Sequence, residues 1–184
     1  MSYGTIADYG NIATGGITLQ QVRNEIYTQQ GWARYVDTQY DVNTPFVIAE
    51  DAFIPLPNNA GEIINSQLPI GVDSFYDPLL GVILPDTDLD KLRFTFRFKA
   101  KTDAPSGGQL GFGIDIGGSL GVIFKDSRLF IKGANVEQDF TFDIGGYTGS
   151  TFLTNKGTPL IGAIRGNASI YDVELQIERT QKGR

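Results

Sequence analysis

LRFTFRFKAK, the stretch at positions 92–101, alternates apolar and polar residues without a break. Successive side chains of a β-strand point to opposite faces, so this period of two predicts a strand with one buried face and one face in water. The alternation returns in stretches that begin at Leu110, Val136 and Tyr171. Their apolar sets are Leu110, Phe112, Ile114 and Ile116; Val136, Phe140 and Phe142; and Tyr171, Val173, Leu175 and Ile177. The chain is therefore predicted to consist mainly of strands.

Shorter strands and turns fill the rest of the chain. Strands are predicted at residues 34–40, 46–49, 53–56, 82–84, 128–132 and 160–165, with glycine, proline and asparagine clusters between them. Many short alternating strands with regular breaks are typical of an antiparallel sandwich or barrel. With about ten strands and a phenylalanine-rich inner face, the closure we expect is a two-sheet jelly roll. The predicted fold is thus an all-β, antiparallel jelly-roll β-sandwich.

The first 16 residues form a different kind of segment. Isolated large side chains recur there at every third position among glycines and small polar residues: Tyr3, Ile6, Tyr9 and Ile12. This content is too low for a core of its own and too high for a fully solvated tail. We expect an extended arm that orders against another surface, although a frayed terminus remains the alternative.

A short helix is predicted between the arm and the sandwich. Thr18 and Gln21 fit a capping box, and Gly31 supplies a stop. Leu19, Val22 and Ile26 would form a narrow apolar stripe that has to dock on the sandwich or on a neighbouring subunit. The predicted organisation is an arm and helix at 1–31 and a jelly-roll domain at 32–184.

Composition argues against most catalytic chemistry. The 184-residue chain contains no histidine and no cysteine. GGSLG at positions 117–121 fits the nucleophile-elbow pattern, but Ser119 would lack the histidine that normally activates such a serine. Instead, Gly117 and Gly118 are the pair expected at a hairpin turn between strands at 110–116 and 119–124. We expect no enzymatic activity, no cofactor, and no ordinary zinc or copper site.

Charge and hydropathy limit the partners. A net charge of −6 argues against a general nucleic-acid binder. The basic strip Arg93, Arg97, Lys99 and Lys101 is therefore interpreted as an exposed sheet face or as a charged edge that discourages aggregation. The start MSYGTIADYGN lacks the features of a signal peptide, and no run reaches the length of a membrane span. We expect a protein that stays soluble, or is exported without a cleaved signal, and that has no membrane contact.

Two weaker ligand patterns remain. DTDLD at positions 86–90 resembles the opening of a calcium loop, but Lys91 and Arg97 stand where an EF-hand needs glycine and glutamate. A solvated loop is favoured, and a looser calcium site stays open. Aromatic residues that could stack on sugars are Trp32, Tyr35, Tyr40, Tyr76 and Tyr147, with packing as the preferred interpretation for each.

Several stretches together resemble small virion proteins of tailed bacteriophages: GWARYVDTQY, LPNNAG, SQLPIGV, FRFKAK, IDIGGSLGVIF and IYDVELQIERT, which begin at positions 31, 56, 66, 96, 114 and 170. Members of that group are capsid decoration or cement proteins with a jelly-roll, tumour-necrosis-factor-like trimeric body, and related domains occur in fibres. The resemblance spans residues 32–180, is made of loose patterns, and transfers no functional residue.

The resemblance implies a structural role. We expect a homotrimer on the phage head surface, made in the host cytoplasm, that clamps neighbouring major capsid subunits. The residues expected to contact the capsid or a neighbouring subunit are those of the arm and helix: Tyr3, Ile6, Tyr9, Ile12, Leu19, Val22 and Ile26. The main alternative is a receptor- or glycan-binding module of a phage fibre; a glycan hydrolase is weaker, because no acidic cleft is recognisable in the sequence.

Overall fold

The computed structural model describes residues 19–22 and 29–183. Residues 19–22 and 29 are helical, within the stretch where the short helix is predicted. From Gly31 onward the described chain forms strands and one six-residue helix, α1. In chain order these are β1 (Gly31–Val36), β2 (Phe46–Ile48), β3 (Phe53–Pro55), β4 (Glu62–Gln67), β5 (Tyr76–Asp77), β6 (Val82–Ile83), β7 (Lys91–Thr102), β8 (Gln109–Asp115), β9 (Val122–Leu129), β10 (Gln138–Tyr147), α1 (Ser150–Asn155), β11 (Thr158–Ile164) and β12 (Ala168–Gln181).

Two antiparallel sheets build the sandwich. The six-stranded sheet has the order β10-β7-β12-β1-β4, with β2 also paired to β12. The four-stranded sheet has the order β3-β11-β8-β9. The chain crosses between the sheets from β7 to β8, from β9 to β10 and from β11 to β12, which is jelly-roll connectivity. The predicted all-β jelly-roll sandwich is confirmed, whereas the predicted arm lies outside the described residues.

The core lies between the inner faces of the sheets and is largely aromatic. On β7 the inward residues are Leu92, Phe94, Phe96, Phe98 and Ala100, and all are buried. The rings of Phe96 and Phe112 join the two sheets, with centroids 4.3 Å apart. The ring of Phe142, on the strand β10 beside β7, stacks on that of Phe112 with centroids 5.1 Å apart. The inward apolar series predicted from the alternation on β7 and β8 is therefore the core that holds the sheets together.

Two parts of the predicted alternation are displaced. Val136 lies before β10 and is 46% exposed, so it does not belong to the inward set of that strand. On β12 the register shifts between Tyr171 and Glu174, where Asp172 adopts a φ of 53°. This bulge adds a residue and leaves Tyr171 out of phase with Val173, which faces the core.

The predicted hairpin of Gly117 and Gly118 is present, but its loop is longer than expected. β8 ends at Asp115 and β9 starts at Val122, and the Ile116 amide donates to the Gly121 carbonyl. Both glycines have left-handed φ values, 65° and 60°, which favour glycine over residues with a Cβ. Ser119 is an exposed residue of this turn.

Glycines on the outer face of the four-stranded sheet make room for Phe53. Its ring crosses from β3 over Gly162 of β11 and toward Gly111 of β8, and stays 42% exposed. A Cβ at Gly162 would lie 2.4 Å from Phe53 Cδ2 and 2.7 Å from the Ala52 carbonyl oxygen. The close approach of β3 to the sheet therefore requires glycine at position 162.

We expect Gly162→Ala to lower the free energy of unfolding by about 1–3 kcal/mol, because the new methyl group meets backbone as well as the ring. Gly111→Ala is the matched control, since its Cβ would lie 3.6 Å from the nearest atom of Phe53, an ordinary contact. Urea denaturation of both variants measures the difference. Equal stabilities would contradict the close packing of β3.

Candidate interaction surfaces

A fully buried arginine, Arg179, closes the end of the sandwich where the N-terminal segment enters. It follows Leu175 and Ile177 on the inward side of β12 and is 0% exposed. Its Nη1 lies 2.8 Å from Asp86 Oδ2 and 3.6 Å from Asp90 Oδ2. A buried cation is tolerated only when it is paired and hydrogen-bonded, so these carboxylates are part of the fold.

The same cluster holds both ends of the described domain. Arg179 Nε donates to the Gln29 carbonyl at 2.9 Å, and Asp90 Oδ1 accepts from the Gly183 amide at 2.8 Å. Asp90 is itself fully buried. We call Arg179, Asp86, Asp90, Gln29 and Gly183 the Arg179 cluster. It joins the entry of the chain, the loop before β7 and the C-terminal residues at one end of the sandwich.

This cluster changes the interpretation of DTDLD at positions 86–90. Two of its aspartates, Asp86 and Asp90, form ion pairs with Arg179 and are not turned toward a shared calcium ion. Oδ1 of Asp88 is buried and has no hydrogen-bond partner among the described residues. Within residues 19–22 and 29–183, no group of three or more metal-ligating side chains could hold an ion. The aspartate pattern is thus explained in part by pairing with an arginine.

The outer face of the six-stranded sheet carries the basic strip predicted from β7. Arg93 Nε donates to Asp143 Oδ1 at 2.9 Å, and Arg97 Nη1 donates to Glu174 Oε1 at 2.7 Å. Two lysines complete the strip: Lys99 pairs with Asp172 at 3.3 Å, and the Lys101 Nζ lies 5.6 Å from the ring centroid of Tyr171. The strip is therefore part of a mixed-charge face, and a phosphate backbone would have to displace these partners.

A tyrosine and a carboxylate are coupled on the same face. The Tyr171 hydroxyl donates to Glu137 Oε2, and Lys99 Nζ lies 3.9 Å from the other carboxylate oxygen. The hydrogen bond from Tyr171, with help from nearby lysines, holds the pKa of Glu137 below its ordinary value. Burial and this hydrogen bond raise the pKa of Tyr171. The pair fastens the loop before β10 to β12.

The aromatic residues considered for sugar stacking divide sharply by burial. Tyr35 and Tyr76 are in the core, where their hydroxyls bond to Ser74 Oγ and to the Asn58 carbonyl. Burial raises the pKa of Tyr76 to about 12. Trp32 and Tyr40 are half-buried, whereas Tyr147 is 57% exposed beneath Lys91. Of this predicted set, Tyr147 is the residue with a largely open ring.

An open groove of about 630 Å³ lies beside the entry of the chain. It is lined by Gln30, Gly31 and Trp32 at the chain entry, and by the residues from Ser66 to Leu68 with Ile70. Ile70 is 65% exposed, and Glu178 is the one charged residue among those that line the groove. No pattern in the sequence predicts this groove.

Two of the predicted contact residues are described. Leu19 and Val22 are helical and are 48% and 40% exposed. The others lie outside the described residues: Tyr3, Ile6, Tyr9, Ile12 and Ile26. A contact role for these residues stays a prediction, as does the domain boundary after residue 31. In the part of the chain that the structure describes, no helix is long and apolar enough to cross a bilayer.

The fold is similar to that of several solved structures. Eiger TNF from S. frugiperda superposes with a TM-score of 0.52 at 6% identity, covering 85% of this chain and 96% of that chain. The PRD1 vertex protein P5 gives 0.43 at 10% identity, over 83% of this chain and 96% of that chain. The Stig cyclase Fisc from Fischerella sp. TAU gives 0.34 at 14% identity, over 82% and 86%.

No protein-family model matches the sequence, and the comparison with curated proteins gives no match. At 6% identity, the similarity to Eiger TNF shows a shared fold and carries no information on function. The described domain therefore has a jelly-roll sandwich like that of a tumour necrosis factor.

We expect Arg179→Met to lower the free energy of unfolding by about 3–5 kcal/mol, because it leaves the buried Asp90 without its cation. Arg93→Met is the matched control: its pair with Asp143 has side chains that are 54% and 42% exposed, so water screens the pair and only a small loss of stability is expected. Guanidinium denaturation compares the two. Similar losses for both variants would contradict the structural role of the Arg179 cluster.

Tyr171→Phe should raise the pKa of Glu137 toward its ordinary value, since the main stabilising hydrogen bond to the carboxylate is lost. A lowered pKa stabilises the fold above the unfolded-state pKa of the group, and this contribution disappears as the pH falls through the folded-state value. Side-chain carboxyl NMR titration measures the shift. Tyr147→Phe is the control and should leave Glu137 unchanged; an unchanged pKa in Tyr171→Phe would refute the coupling.

Proposed function

We propose that this chain is a structural virion protein of a tailed bacteriophage: a capsid decoration, or cement, protein on the head surface. In this proposal it assembles as a homotrimer and clamps neighbouring major capsid subunits, without a cofactor or an enzymatic activity. The observation that carries the proposal is the jelly-roll sandwich, because it is the body that the sequence resemblance implies. The protein would be made in the host cytoplasm and then incorporated in the virion.

The end of the sandwich at the chain entry has the mechanical features that a clamp needs. Arg179 holds the Gln29 carbonyl from a fully buried position, so force on the N-terminal segment is transmitted to β12. β12 pairs with β7 and β1 in the middle of the six-stranded sheet. A sandwich that holds the chain at Gln29 supports the assignment of residues 1–31 as the contact segment.

Multivalency gives the clamp its strength. Three copies in one oligomer would present three N-terminal segments, and after the first contact the others bind as intramolecular events. Linked contacts of this kind exceed the single affinities by about 10²–10⁴. Each segment can therefore bind weakly on its own, while the trimer stays on the capsid.

Deletion of residues 1–17 tests the proposal. We expect the truncated protein to stay folded and to lose its co-sedimentation with expanded phage capsids, because the contact residues Tyr3, Ile6, Tyr9 and Ile12 are removed. Full-length Ser119→Ala is the control, since it changes only an exposed turn, and it should sediment with capsids like the unchanged protein. Undiminished binding of the truncated protein would refute a capsid-binding arm.

A fibre module that binds a glycan is the second candidate. One observation favours it: Tyr147 is exposed beside an open pocket of about 340 Å³ that Leu89 and Gln181 also line. A glycan array with the full-length protein separates the candidates. Saturable binding to a sugar, together with no binding to capsids, would replace the cement proposal with the fibre one.

A further inference from the structure

The edges of the two sheets differ in how they are protected against pairing with another strand. β2 and β3 have only three residues each, and β3 ends in Pro55. β9 carries Lys125, Asp126 and Arg128, and β10 carries Asp139 and Asp143. Short length, proline and charge are the devices that keep an edge from recruiting a partner. β4 has the sequence EIINSQ, whose one charge is on its first residue. Among these edges, β4 is the one open to strand addition.

β4 is also exposed on both of its faces. Of its residues, Ile64 is half-buried and the other five are exposed, with Ile63 at 48%. A strand within a sandwich normally buries one face, as β7 does. β4 therefore extends past the core, and a partner strand could cover apolar side chains on either face.

The groove of Trp32 and Ile70 continues from the end of β4. The chain itself enters along this groove, because Gln30 and Gly31 line it directly after the anchored Gln29. The described chain therefore reaches the sandwich beside β4 at residues 29–31, and residues 1–18 lie outside the described residues. Fully extended, 18 residues span about 60 Å, which is enough to reach another copy.

The sequence of residues 1–18 fits such an edge. Its one charged side chain is Asp8, which matches an edge and groove with little charge. In an extended chain, a spacing of three places successive side chains on alternating faces. Tyr3 and Tyr9 would then lie on one face, and Ile6 and Ile12 on the other, as a strand beside the doubly exposed β4 requires.

We propose that β4 and the adjoining groove seat residues 1–18 of a second copy of this chain. The backbone of the incoming segment pairs with the open edge of β4, and its apolar side chains pack against Ile63 on the strand and Ile70 in the groove. That the segment comes from a second copy rests on the proposed function. A clamp has to join subunits, and a segment that folded back onto the groove of its own copy would join none. Each copy then gives one arm and receives one. The arms thus link neighbouring copies into the clamp, and the linked copies together, rather than each free arm, contact the capsid.

The absence of cysteine from the chain makes this seat testable by disulfide formation. One copy carries a single arm cysteine, placed in turn by Tyr3→Cys, Ile6→Cys, Tyr9→Cys or Ile12→Cys, and a differently tagged copy carries Ser66→Cys on β4. The full-length copies are co-expressed and mildly oxidised. We expect a linked pair on a non-reducing gel for at least one arm position, about tenfold or more above the control.

The control replaces Ser66→Cys with Ser127→Cys, an exposed position on the charged edge strand β9. Equal linkage to both edges would overturn the proposal, as would a double-cysteine chain that links to itself while the mixed copies do not. Capsid sedimentation of the unchanged protein is measured in parallel. Capsid binding without linkage refutes only the β4 seat, whereas linkage without capsid binding refutes the cement function and leaves the seat in place.

Discussion

The pairing of Arg179 with Asp86 and Asp90 is the interaction on which the end of the sandwich depends. An arginine with no exposed surface has lost its hydration, and the fold is stable only if the lost water contacts are replaced. The replacements come from two distant parts of the chain, Gln29 shortly before β1 and the loop before β7, and Asp90 of that loop in turn accepts from the Gly183 amide. Each of these segments therefore has to be in place for the buried charge to be stabilised, and so the position of each depends on the others.

The contacts of Arg179 explain why the chain is held in a defined position at Gln29, although this residue lies at the boundary of the domain. β1 is short and pairs with β12 from Gly31 to Val36, so its own ladder begins only at residue 31. Gln29 lies outside that ladder and gains a fixed position from the arginine. The lining of the groove beside β4 is fixed in the same way, because Gln30 and Gly31 follow Gln29 directly and line the groove.

Periodicity could predict those strands that bury one complete face. β7 follows it residue by residue, and on β8 the predicted Leu110, Phe112 and Ile114 are buried, although the glycines between them are buried as well. β4 gives no such signal: it is exposed on both faces, and Ile63 and Ile64 are adjacent in sequence. The bulge at Asp172 is equally hidden, since a change of phase depends on backbone conformation rather than on residue type. No side-chain hydrogen bond caps the start of α1, so the usual sequence signal for a helix start is missing there.

The candidate site was less predictable, and Arg179 shows why. In the series of β12 it occupies the inward position after Leu175 and Ile177, so a charge in an apolar series was visible in the sequence. Its partner Asp86 is 93 positions away, and only the folded chain brings them together. The same aspartates could equally have pointed to calcium, because carboxylates serve a metal ion and a guanidinium alike.

The protection of the sheet edges connects this internal order to assembly. Most of the charged groups on the six-stranded sheet are satisfied by neighbouring strands, as Arg97 and Glu174 are. A face that is already paired offers little gain to a new partner, because each contact made must first displace one that exists. β4 has unpaired backbone groups along an edge whose one charge is Glu62, and it has side chains on two open faces, so pairing there replaces mainly water. The surface most suited to joining copies is therefore the strand that contributes least to the core of its own copy.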